Sequence, residues 1–174
     1  MGICTSCLEE NKYHEKELKA NSFNDLKLFT FEGTITKAKV VEVYDGDTCT
    51  IVLFNNNLPI KLKFRMHGYD SPEMKPRKDI ENRSLHIQAA IIARDKLKEK
   101  VLNKIFWVCF VEEEKFGRAM GSLYEISDKN KFTGTEKCIN TWMIDKRLGK
   151  PYQGAKKEEF TSNELNDILR SCNG

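Results

Sequence analysis

The sequence predicts an α+β protein, mainly a small closed β-barrel with helices packed outside it. Three observations carry that expectation. From Gly33 onward, apolar and polar residues alternate in short runs, the period-two signature of half-buried strands. Between Ser84 and Leu97 the apolar residues fall instead at helical spacing. Beyond that helix two more strand-like runs follow, so three β segments, a helix and two further strands come in an order that a small barrel accommodates.

Taken in order, residues 1–32 are polar with a weakly helical stretch from Glu15 to Leu28, and are expected to form a tether. Val41 and Val43 alternate with Glu42 and Tyr44, Thr50 to Phe54 reads as the next strand, and Asn55-Asn56-Asn57 reads as the turn after it. Ile60, Leu62 and Phe64 then alternate with Lys61, Lys63 and Arg65, which places Arg65 on the outward face. A loop with Pro72 and Pro76 leads to about Arg83, where Ser84 is the expected cap of a helix bearing Leu85, Ala89, Ile92, Ala93 and Leu97. His86 lies off that stripe and is expected at the surface. Ile105 to Val111 reads as a buried strand and Ala119 to Glu125 as its hairpin partner, after a turn from Glu112 to Gly117. Helical patterns near 135–148 and 158–171 complete the set. The expected organisation is a tether over 1–32, one domain over 33–155 and a helical extension over 156–174.

The chain has 174 residues, 40% hydrophobic and 32% charged, with 29 basic against 26 acidic side chains. That length buries a core without disulfides. A formal charge of +3 permits a nucleic-acid partner without arguing for one. No run approaches the roughly 18 to 20 apolar residues of a membrane span. Of the six cysteines, Cys49 and Cys109 sit in apolar runs, and no secretory signal is present, so a reducing, intracellular compartment is expected. Cys4-x-x-Cys7 lacks a second pair, so no zinc site is expected.

The opening Met1-Gly2-Ile3-Cys4-Thr5-Ser6 fits the N-myristoylation pattern at Gly2, with Cys4 and Cys7 available for palmitoylation. One acyl chain binds membranes only marginally, and Lys12, Lys16 and Lys19 are outnumbered by Glu9, Glu10, Glu15 and Glu17, so the cysteines must supply the second anchor. The expected location is peripheral, on the cytoplasmic face of a membrane, or soluble in the cytoplasm if no lipid is attached.

The chemistry gathers in a few charged residues. Asp45 and Asp47 flank Gly46 between two strands, where Gly46 is expected to supply backbone freedom for a sharp turn. Asp70 and Glu73 stand in Asp70-Ser71-Pro72-Glu73, Arg65 precedes them, and Arg118 closes Lys115-Phe116-Gly117-Arg118. Each is ordinary alone, since Asp-Gly turns and surface ion pairs are common. Jointly they offer hard oxygen ligands for Ca²⁺ or Mg²⁺ and guanidinium forks for a phosphate. Glu73 suits either ligation or, one water removed from the cation, general base catalysis. This is the equipment of metal-assisted phosphodiester cleavage.

The ordered set Tyr44-Asp45-Gly46-Asp47-Thr48, Phe64-Arg65 followed by Asp70-Ser71-Pro72-Glu73, a helix, then Glu114-Lys115-Phe116-Gly117-Arg118 and Arg147-Leu148-Gly149-Lys150-Pro151-Tyr152 closely resembles the staphylococcal (thermonuclease) nuclease family over roughly residues 33–155. The resemblance implies an OB-fold five-stranded barrel with about three outer helices, and Ca²⁺-dependent hydrolysis of DNA and RNA leaving 3′-phosphate ends. It implies metal ligation by Asp47, Asp70 and the Ser71 carbonyl, with Asp45 in the outer shell. Glu73 matches the general base, Arg65 the phosphate clamp and Arg118 the second arginine. Lys115, Phe116 and Tyr152 match nucleotide contacts, although Phe116 replaces a tyrosine and so loses a hydroxyl while keeping a stacking face. Lys75, Arg77 and Lys78 are further candidates for strand contacts. The competing expectation is a non-catalytic OB-fold module binding nucleic acid or protein at a membrane. The intact charged positions favour the enzyme, and no protein partner is inferable.

Overall fold

The computed structural model describes residues 5–26, 28–113, 118–128, 130–154 and 158–171. Its first element, α1 (Thr5–Ala20), is a helix that starts and stops earlier than the expected Glu15–Leu28 stretch. At its end Asn21 donates its backbone N–H in the helical pattern and its side-chain amide as well to the Glu17 carbonyl, at 3.2 and 2.9 Å, which satisfies that last-turn acceptor. Leu26, Leu28 and Phe29 follow outside any helix and stay exposed, whereas Phe31 packs on Phe110.

β1 (Ile35–Val43), β2 (Thr48–Asn55) and β3 (Leu58–Met66) form the expected meander. The β2–β3 turn is made by Asn56 and Asn57, both at positive φ (47° and 63°), as a two-residue hairpin loop compatible with strand twist requires. A short strand β4 (Tyr69–Asp70) leads through a loop to helix α2 (Arg83–Val101). β5 (Ile105–Glu113) and β6 (Ala119–Tyr124) follow as an antiparallel pair, then α3 (Ile139–Asp145), β7 (Lys150–Pro151) and α4 (Ser162–Arg170). The barrel closes in the order β1-β2-β3-β6-β5, with β5 returning to β1 and β3 running parallel to β6. β4 and β7 pair separately beside it. The protein is therefore an α+β, OB-fold-like barrel of five strands with four helices among the described residues.

Alternation decides which residues fill the barrel. On β3, Phe64 and Met66 are buried and Ile60 and Leu62 half-buried, while Lys61 and Lys63 are exposed. Val40, Ile51, Phe64, Val108 and Leu123 meet inside with no exposed surface. α2 covers one side of the barrel through Ala89, Ala93, Leu97 and Val101, and α4 adds Leu165 and Ile168 to the same core.

Two local expectations change. Ser84 is not the cap of α2; Asn82 occupies that position in a left-handed conformation (φ 54°) and makes no side-chain cap. Its amide instead donates to the Ser162 hydroxyl at 3.1 Å, joining the start of α2 to the start of α4. His86 is not a surface residue but 5% exposed. A helical wheel sees only α2, whereas the chain around Phe160 comes back to share a cleft wall with His86. Cys49 is buried, Cys109 and Cys138 are half-buried, and all three are free thiols.

Candidate functional site

The site begins at the turn between β1 and β2. Tyr44 and Asp45 donate their backbone N–H groups to the Thr48 carbonyl at 2.9 and 3.4 Å, and Asp45 Oδ1 accepts from the Asp47 N–H at 3.1 Å. This aspartate-closed turn holds both carboxylates at the same end of the barrel. Gly46 serves it differently from the expectation. It is absent from the positive-φ residues, so backbone freedom is not its contribution. A Cβ there would lie 2.7 Å from the Ser71 Cβ and 2.9 Å from the Ala93 Cβ, so glycine is required because the turn presses against both the β4 loop and α2.

The β4 end comes to this turn through Tyr69, which is fully buried and donates its hydroxyl to the Gly46 carbonyl at 2.7 Å. The Met66 N–H donates to the Asp47 carbonyl at 2.8 Å, and the Ser71 N–H to Asp47 Oδ2 at 3.2 Å. Asp45, Asp47, Asp70 and Ser71 are thereby all buried. On the other side, Asn140 of α3 is a residue that the sequence reading missed. Its amide donates to the carbonyls of His67 and Gly121 at 2.8 and 3.1 Å, and its Oδ1 accepts from the Leu123 N–H at 3.1 Å, so α3 fixes the chain entering β4. No spacing rule marks an asparagine for that role.

Arg65 joins the aspartates. Its Nη1 donates to Asp47 Oδ1 at 2.8 Å and its Nη2 to Asp70 Oδ1 at 3.0 Å, with only 11% of its side chain exposed. The outward face predicted from alternation is correct, but that face is covered here, and the guanidinium meets carboxylates rather than water. Thr48 adds a hydroxyl donor to Asp47 Oδ1 at 2.9 Å.

Asp45, Asp47 and Asp70 are buried beside the Arg65 guanidinium. Burial first, and then the charge of Asp45, push the Asp47 carboxyl up from 3.8 to about 6, against the opposing pull of Arg65, Thr48 and the Ser71 N–H. Such a cluster presents hard oxygens, which fits a divalent cation. Among the described residues no group of three or more His, Cys, Asp or Glu side chains is arranged to hold a metal ion by itself. Any cation here therefore relies on carbonyl, water or substrate oxygens beside the carboxylates.

The remaining expected residues surround this cluster unevenly. Glu73 is exposed and, with Ser71, lines the mouth of a cleft of about 910 Å³ that His86, Ile80, Phe160 and Arg77 also line. Arg77 forms an ion pair with Glu159 across that cleft. Burial lowers the His86 imidazole pKa, with Glu159 opposing it, so a neutral ring is favoured inside. Arg118 is half-buried and directly precedes β6, whose Met120 is the register partner of Arg65. Tyr152 is half-buried just after β7, where its N–H donates to the Gly68 carbonyl at 3.0 Å. Gly2, Cys4, Lys115 and Phe116 lie outside the described residues, as does the side chain of Cys7. No protein-family model matches this sequence, and a comparison with curated proteins finds no match.

Proposed function

We propose that this chain is a metal-dependent phosphodiesterase, a nuclease of the thermonuclease type that hydrolyses DNA and RNA and leaves 3′-phosphate ends. The observation that carries the reading is Arg65 bridging buried Asp47 and Asp70 beside Asp45, at the edge of a cleft lined by Glu73. Three buried carboxylates gathered at one end of the barrel, one of them with a raised pKa, are the oxygen-rich and electrostatically perturbed surroundings that functional sites favour.

In this reading Asp47, Asp70 and the Ser71 carbonyl hold Ca²⁺, or Mg²⁺ in its place, and Asp45 supports them from behind through its bond to the Asp47 N–H. When bound, such a cation supplies Lewis-acid stabilisation of phosphoryl oxygen charge. Glu73 takes a proton from the water that attacks phosphorus. The P–O bond to that water's oxygen forms as the P–O5′ bond breaks, and the leaving O5′ takes a proton from solvent while Arg118 donates a hydrogen bond to it. Arg65 and Arg118 neutralise the charge that grows on the phosphate, for which a planar fork is better suited than an ammonium. Tyr152, Phe116 and Lys115 contact the nucleotide.

The test is incubation of the protein with single- and double-stranded DNA and RNA in Ca²⁺, Mg²⁺ or chelator. Cleavage is expected only with cation, and Arg118→Ala is expected to lower kcat by about 10²–10³. If the wild type binds every substrate and leaves it intact in all cations, the chain is instead a non-catalytic binding module.

The same reading places the protein on the cytoplasmic face of a membrane, through myristate on Gly2 and palmitate on Cys4 and Cys7. Among the described residues no helix is long and apolar enough to cross a membrane, and Leu26, Leu28 and Phe29 stand exposed between the lipidation sequence and the barrel. Gly2→Ala is expected to move the protein to the soluble fraction of cells; an unchanged distribution removes the anchor.

A further inference from the structure

A second concavity, of about 430 Å³, shares Lys75 with the Glu73 cleft and is lined also by Tyr44, Met74, Arg94, Lys98 and Glu42. Tyr44 immediately precedes Asp45 and is 55% exposed, while its N–H is fixed to the Thr48 carbonyl at 2.9 Å. Its ring is therefore presented to solvent from a backbone position that the carboxylate turn holds still. Arg94 and Lys98 are four residues apart on α2 and share a helix face. Glu42 accepts the Thr50 hydroxyl at 3.1 Å, and Arg94 pairs with Asp95 at 2.7 Å. Lys75, Arg94 and Lys98 thus face Glu42 and Asp95, leaving a positive excess around an exposed aromatic ring.

A large exposed aromatic at a rigid turn gains nothing from water, and clustered cations repel one another. Together they are what single-stranded nucleic acid recognises: a ring on which an unstacked base can lie, and cations spaced along the backbone. A duplex keeps its bases stacked on one another and offers only phosphates.

We propose that this groove is a subsite for single-stranded nucleic acid, in which Tyr44 stacks on a base flanking the scissile phosphate while Lys75, Arg94 and Lys98 hold neighbouring phosphates. It rests on the phosphodiesterase reading of the adjoining carboxylates and adds to it a preference for unpaired strands. Because Tyr44 is bonded to Asp45, a strand lying on its ring is led directly to the carboxylate cluster. Lys75 connects this groove to the cleft that Glu73 lines.

Binding of labelled oligothymidylate and of a matched duplex is measured by fluorescence anisotropy in chelator, and cleavage in Ca²⁺ is measured on a long single strand and on a dinucleotide. Tyr44→Ala is expected to weaken single-strand binding about tenfold, to raise KM on the long strand by a similar factor, and to leave kcat, the dinucleotide and the duplex unchanged. Tyr44→Phe keeps the ring and is expected to behave as wild type. Replacing Arg94 and Lys98 together by Gln is expected to flatten the log–log salt dependence of single-strand binding by about 1.4. Wild-type single-strand affinity in Tyr44→Ala overturns the subsite, and so does an equal loss on the duplex, which means that the ring does not act by stacking on an unpaired base. If the wild type cleaves nothing, the phosphodiesterase reading falls, while the anisotropy series alone still decides this groove.

Discussion

Arg65→Met is expected to be the most destabilising single change at the site, by about 3–5 kcal/mol near neutral pH. The substitution keeps the bulk of the side chain but removes the guanidinium that lies between Asp47 and Asp70. Their charges are then left buried beside Asp45, in surroundings too poor in water to screen them. pH gives the prediction its sign. Asp47 has a folded pKa of about 6, above its ordinary 3.8, so the folded state binds this proton more tightly than the unfolded chain does. The associated stabilisation is complete below the unfolded pKa and is lost as pH rises through the folded one. Removing Arg65, which lowers this pKa, moves the folded value higher still. The deficit of Arg65→Met is therefore largest above pH 7 and shrinks as the pH falls towards 4.

A divalent cation offers a second way to restore the missing charge. Millimolar Ca²⁺ is expected to raise the unfolding midpoint of Arg65→Met more than that of the wild type, since the vacated guanidinium position leaves the carboxylates less compensated. Urea titrations at pH 5 and 8, with Ca²⁺ and with chelator, measure both effects. A deficit that is equal at both pH values and indifferent to Ca²⁺ would mean that Arg65 acts by packing alone. Nuclease activity should vanish in either case, because a thioether cannot hold a phosphate.

Glu73→Gln is expected to have the opposite profile, with a large kinetic effect and almost no effect on folding. Glu73 is exposed on the cleft wall, and surface substitutions of this kind usually stay within about 0.5 kcal/mol. Under the proposed mechanism, in which Glu73 takes the proton from water, its loss should lower kcat by about 10²–10⁴ with KM little changed, and should flatten the acid limb of the kcat/KM profile. Steady-state kinetics across pH, with the unfolding midpoint measured alongside, make the comparison. A kcat within about threefold of wild type and an unaltered acid limb would remove the general-base role and leave Glu73 as a cleft-lining carboxylate.

Several features of fold and site were legible in the chain because they rest on short-range rules. Alternation at Ile60, Leu62 and Phe64 gave both a strand and the outward side of Arg65, since successive side chains of an extended backbone must point opposite ways. The asparagine turn after β2 follows from the tolerance of Asn for positive φ, and the apolar stripe of α2 from the 3.6-residue repeat. Where the sequence reading missed, a distant segment had intervened. Gly46 looked like a turn glycine, but the atoms that exclude a side chain there belong to Ser71 and Ala93. His86 looked exposed on its own helix, yet it faces a cleft that chain returning near Phe160 helps to wall. Asn140 carried no signal at all, because its partners are backbone groups of His67, Gly121 and Leu123.

By itself the sequence determined the residue types, the order of the five barrel strands with α2 between the third and the next, and which acidic and basic side chains were available for metal and phosphate chemistry. Only the tertiary structure decided that Asp47 and Asp70 share the Arg65 guanidinium, that Asp45 raises the pKa of Asp47, and that Tyr44 shares a concavity with Lys75, Arg94 and Lys98. The physical reason is one of range. Backbone sterics and side-chain periodicity act over a few residues and can be read along the chain. The energy of a buried charge depends on which groups surround it in space, and the packing of β4, α2 and α3 against the closed barrel sets those neighbours.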